Sequence, residues 1–138
     1  MRKRTHAREL TIQILYQMDI TRDSADITLK NFWQSREEKI EEHVKNFTAE
    51  LVGGVADNLA DIDAKISEYA TNWQLKRMAV VDRNVLRLGC YELLFRQDIP
   101  PKVSINEAVD LAKKYSGTEA GKFVNGILDR IKAEKDKA

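Results

Sequence analysis

The sequence predicts an all-α protein of about seven helices. Three observations carry this. Apolar residues recur at spacings of three and four along almost all of the 138 residues. Gly (6) and Pro (2) are too few for the many tight turns of an all-β fold. No segment shows the strict alternation of a half-buried strand, and no internal repeat stands out.

Each element has its own justification. Ala7, Leu10, Thr11, Ile14, Leu15 and Met18 form one face of an amphipathic helix running to about Ile20. A short helix from about Ala25 to Trp33 turns Leu29, Phe32 and Trp33 inward. Ile40, Val44, Phe47, Leu51 and Val55 then lead into Leu59, Ile62, Ile66, Tyr69 or Ala70, and Trp73, as one long helix or two nearly continuous ones. Gly53-Gly54 is the expected kink or close-approach point, because glycine weakens a helix interior. Residues 74–79 read as a connecting turn of helix. Val81, Val85, Leu86, Gly89, Cys90 and Leu93 form the next stripe, ending near Arg96. QDIPPK breaks the chain, and Ser104 with Glu107 has the spacing of a capping box that starts a helix reaching about Tyr115. Ser116-Gly117-Thr118 is a turn. A last helix runs from Glu119 to about Lys132, and AEKDKA is expected to fray.

Charge narrows the function. The net charge is only +1, yet residues 1–30 carry six Lys/Arg against four Asp/Glu, residues 31–70 four against nine, and residues 71–138 thirteen against nine. Basic ends around an acidic middle suggest that the ends meet an anionic partner. No apolar run approaches the ~18 residues of a membrane helix. Glu9, Gln13 and Gln17 interrupt any signal-type stretch after the basic start, and the lone Cys90 suits a reducing compartment, so a cytoplasmic location is expected.

Enzyme chemistry finds no foothold. His6, His43 and Cys90 lie far apart and in no ligand spacing, so no metal is expected. There is no glycine-rich phosphate loop and no sign of a cofactor. Cys90 sits on an apolar stripe and reads as a core residue.

Two stretches instead suit a nucleic acid. Arg4, Arg8, Ile12 and Tyr16 are spaced by four and form a ridge: cations for phosphates and a ring for stacking. In KKYSGTEAGKFVNG, residues 113–126, Lys113, Lys114 and Lys122 surround Tyr115 and Phe123, with Ser116, Gly117 and Gly121 allowing close backbone approach. Interleaved cations and aromatics suit single-stranded RNA. The bland alternatives are a solubilising start and a Phe123 that belongs to the core.

Taken together, ARELTIQILYQMD, ELVGGV, IDAKI, WQLKRMAVVDRNVLRLGCYELL and IPPKVSINEAVDLAKKYSGTEAGKFVNGILD resemble the bacterial transcription antitermination factors of the NusB family, over nearly the whole chain. The resemblance implies one NusB-like domain over 1–138, built from two packed three-helix halves, about 1–72 and 73–138. It implies a non-catalytic factor that binds boxA RNA together with NusE, a ribosomal protein of the small subunit, within the antitermination complex of RNA polymerase on rRNA operons. By position, the RNA residues would be Lys3, Arg4, Arg8, Tyr16, Tyr115, Ser116, Gly117, Glu119, Lys122 and Phe123. Glu119 would order its neighbours rather than touch phosphate. Arg77 and Asp82 would contact NusE. Some relatives form dimers that hide the RNA face, which leaves a homodimer open. A protein-only helical adaptor, or a detached regulatory domain of an rRNA cytosine methyltransferase, are the rival readings.

Overall fold

A computed structural model of the chain describes residues 2–137. Among these residues it contains seven α-helices, one short 3-10 turn and no strand. The helices belong to two compact units, residues 2–57 and residues 58–137.

The first unit holds three helices: α1 (Lys3–Thr21), α2 (Ala25–Ser35) and α3 (Glu42–Asp57). α1 packs along α3, and α2 packs on both. Ala7, Leu10 and Ile14 of α1 are buried, as are Val44, Phe47, Leu51 and Val55 of α3 and Phe32 of α2. This is the stripe expected from spacing. Two threonines on it satisfy their hydroxyls locally: Thr11 donates to the Ala7 carbonyl at 2.8 Å and Thr48 to that of Val44 at 2.8 Å. α1 ends at Arg22, in the left-handed region at φ 66°, and Ser24 caps α2 by accepting from the Ile27 amide at 3.3 Å. α1 begins at Lys3, four residues before the expected start, so the basic opening is helix surface and not a tail.

The second unit holds α4 (Leu59–Tyr69), a 3-10 turn (Leu75–Arg77), α5 (Val80–Phe95), α6 (Pro101–Ser116) and α7 (Thr118–Lys137). α4 packs on α5 and α7, so four helices share this unit where the family resemblance implies three in each half. α5 is its axis. Every residue from Asn84 to Leu93 is buried, because α4, α6 and α7 all pack on it. A helix buried all round must satisfy its polar groups internally. Arg87 donates to both carboxylate oxygens of Asp63, at 2.8 and 2.9 Å, and to Asn84 Oδ1 at 3.2 Å. Glu92 accepts from Ser104 Oγ at 2.8 Å.

Four local expectations change. Gly53 and Gly54 lie inside α3, and the break falls at Asn58; a Cβ built on Gly53 would meet nothing within 4 Å, so Gly53 serves no close approach. The Ser104 capping box does not form. α6 begins at Pro101, whose ring presets the first-turn φ and whose missing N–H is not needed there. Ser104 is thereby drawn into the helix interior, facing Glu92. Trp73 closes no apolar stripe: α4 stops at Tyr69 and the indole is 57% exposed. α7 also continues through the segment expected to fray. Lys65 donates to Glu134 at 2.9 Å and Lys132 to Asp136 at 2.8 Å, pairs that pull Glu134 below the usual carboxylate range and raise both lysines.

Cys90 is fully buried, and desolvation pushes its thiol up from 9.0 to about 12. In the unfolded chain the thiol ionises near 9.0, and in the fold only near 12. Its contribution to stability is therefore complete below pH 9 and is lost as pH rises toward 12. Urea unfolding at pH 8, 9 and 10 is expected to show a decline that is shallower in Cys90→Ala. An equal decline in both proteins would show that the thiol plays no part.

Candidate nucleic-acid interface

The basic start sits on α1 against α3. Arg4 is exposed and lays its guanidinium 4.2 Å from the centroid of the Phe47 ring. Lys3 reaches Glu41 at 3.1 Å, and both side chains are largely in water, so the pair contributes little and can exchange for phosphate. Arg8 corrects the expected ridge. It is only 2% exposed and lies 5.7 Å from the same Phe47 ring, a packed residue beneath Arg4 and not a surface cation. Ile12 is buried as well, while Tyr16 is 43% exposed. The spacing of four placed these residues on one helical face. The fold then buries the middle of it, at Arg8 and Ile12. Arg4, Lys3 and Tyr16 remain open.

The second cluster forms where α6 meets α7. Gly117 joins them with φ 98°, a conformation that favours glycine, and its amide bonds to the Lys113 carbonyl at 3.0 Å. Gly121 has a different task from the one expected. A Cβ there would stand 2.6 Å from Lys113 Cγ, so this glycine admits the Lys113 stem between the helices and not a ligand. Tyr115 is 39% exposed, with Lys114 Nζ 5.7 Å from its ring. Glu119 in the first turn of α7 stands 3.6 Å from Lys122, and both side chains are largely in water.

Behind these residues the second unit opens a cleft of about 410 Å³. One wall is the 3-10 turn and the start of α5, with Arg77 and Asp82. The other is the α6–α7 junction, with Ser116, Glu119 and Phe123. Trp73 also lines it, and its ring meets Phe123 edge to face, with centroids 6.1 Å apart. The volume lies in the range of ligand sites. One carboxylate oxygen of Asp82 is buried and lacks a hydrogen-bond partner, a group that gains from a donor brought by whatever enters. Residues that the family resemblance divides between two partners thus share one cleft, and Trp73, read as core, belongs to it. The available signal was its setting: Gln74, Lys76 and Arg77 directly after it carry the apolar stripe no further.

The chain matches the family described as the NusB family over residues 5–133. It is 50% identical over 131 residues to the transcription antitermination protein NusB of Anaeromyxobacter sp. strain Fw109-5, covering 95% of this chain and 90% of that one. Among solved structures, NusB of T. maritima superposes with a TM-score of 0.84 at 42% identity, covering 95% of this chain and 91% of that one. A chain from a crystal structure of the antitermination factors NusB and NusE in complex with double-stranded RNA superposes with a TM-score of 0.86 at 31% identity, covering 97% and 98%.

Proposed function

We infer the function from one premise: the chain belongs to the NusB family of transcription antitermination proteins. Its role is binding rather than catalysis. In the reading we propose, it holds single-stranded boxA RNA together with NusE, and the pair joins the antitermination complex of RNA polymerase on rRNA operons, in the cytoplasm. A relative solved with NusE and RNA supports that partnership.

The observation that carries the reading is the cleft of the second unit. Its α6–α7 wall, with Ser116, Glu119 and Phe123, faces RNA, flanked by Tyr115, Gly117 and Lys122. Its opposite wall, with Arg77 and Asp82, faces NusE. In the first unit Lys3 and Arg4 contact phosphate and Tyr16 offers a ring. Arg8 acts through packing, by supporting Phe47 under Arg4.

Two ligands on two walls of one cleft couple, so each raises the affinity for the other, by about 5- to 150-fold if the coupling is typical. The test is a titration of labelled boxA-like RNA, with and without NusE, at two salt concentrations. Affinity is expected to fall with salt and to rise with NusE. Salt-independent binding, or no RNA binding, would favour the protein-only adaptor. RNA binding indifferent to NusE would remove the two-wall assignment.

A further inference from the structure

We propose that Trp73 is a base-stacking residue of the RNA site, the second ring of a two-ring platform with Phe123. This rests on the reading of the cleft as an RNA site.

Trp73 is 57% exposed, and its amide donates to the Ala70 carbonyl at 3.1 Å. Burial therefore gives no account of this large apolar side chain. Its only aromatic neighbour among the described residues is Phe123, edge to face at 72°. In that geometry one ring offers an edge and the other a face. The first keeps both faces for a ligand and the second keeps one. Aromatic faces bordering a cleft, with cations nearby, are how proteins hold unpaired bases: stacking tolerates any sequence and lysines follow the backbone. Lys122 is 70% exposed one residue before Phe123, and Lys114 stands beside the exposed Tyr115. Around the cleft Arg77, Lys114 and Lys122 stand against Asp82 and Glu119, and this small excess of positive charge favours an anionic strand over a neutral peptide. Trp73 stands nearest Arg77 and Asp82 in sequence, on the side assigned to NusE. Ring contact nonetheless joins it to Phe123, on the RNA side.

The experiment uses the full chain and single-stranded boxA-like RNA, with copies of that RNA carrying one abasic site at each position in turn. Trp73→Ala is expected to lower RNA affinity roughly 10- to 100-fold, as for loss of one stacked base, and to leave the log–log salt slope and NusE binding unchanged. Trp73→Phe should keep most of the affinity. One abasic position should weaken binding to the unaltered chain and cost Trp73→Ala nothing further. Because Trp33 also emits, Trp33→Phe provides a chain whose only indole is Trp73, and RNA should change its emission saturably. If Phe123→Ala weakens RNA binding and Trp73→Ala does not, the cleft stays an RNA site and the proposal falls. If Trp73→Ala loses NusE but keeps RNA, the indole serves the protein partner and the proposal falls. If the unaltered chain binds no RNA, both readings fall together.

Discussion

Arg87→Ala will lower the free energy of unfolding by about 3 kcal/mol, the lower end of what removing one partner of a buried ion pair costs. The guanidinium holds three acceptor oxygens: both of Asp63 on α4 and the side-chain oxygen of Asn84 on its own helix. Arg87 lies on the most buried helix of the second unit, whereas the Asp63 side chain is 27% exposed. Once the cation is gone, Asp63 recovers part of its hydration, which keeps the cost from the upper end of that range. Arg87→Lys should recover less than half, because an ammonium cannot make two parallel bonds to one carboxylate. Arg87→Met should fall between the two, since it keeps the packed stem. Urea unfolding with an unchanged m-value measures the difference. A loss under about 1 kcal/mol would mean that packing alone holds α4 on α5.

The same pair shows what spacing could and could not reveal. Helices were legible because burial repeats every three to four residues, and Leu10, Ile14, Leu51, Leu86 and Leu128 are all buried where the stripes put them. That Arg87 is also buried was not legible. It depends on α4, α6 and α7 all packing on α5, a tertiary circumstance invisible in one helix's periodicity. Helix ends were misread for a related reason. A diglycine reads as a kink or close-approach point, but helix propensity is weak beside packing, and Val52 and Val55 on either side of it are buried. A capping sequence was taken as a start, but Pro101 three residues earlier already supplied one.

The site was legible as composition and misread as geometry. Lysines, tyrosine and phenylalanine mark the α6–α7 junction, where Lys114, Tyr115 and Lys122 are exposed and Phe123 is half-buried. The cleft it forms with the 3-10 turn brings together residues about forty positions apart, and no periodicity links Trp73 to Phe123. On α1 the spacing of four was right about which residues share a face. It could not show that the fold would bury that face at Arg8 and Ile12 and leave it exposed at Arg4 and Tyr16.

That difference makes the second large effect separable. Phe123→Ala should weaken binding of boxA-like RNA by about 1–3 kcal/mol, the value of one stacked base, with the salt slope unchanged. A ring carries no charge and displaces no counterion. Arg4→Ala should do the reverse: a smaller loss in low salt, and a slope lower by about 0.7, the share of one phosphate contact to a single strand. Arg8→Ala is the discriminating third. A surface ridge would make it flatten the slope as Arg4→Ala does. A buried support makes it lower thermal stability first, by removing a fully packed side chain beside Phe47. Slopes measured for all three across one salt series, with unfolding midpoints alongside, decide the matter. If Arg8→Ala flattens the slope without loss of stability, the Arg8 cation reaches phosphate and its burial beneath Arg4 does not persist in the complex. If Phe123→Ala flattens it instead, the ring positions a cation such as Lys122 and does not hold a base.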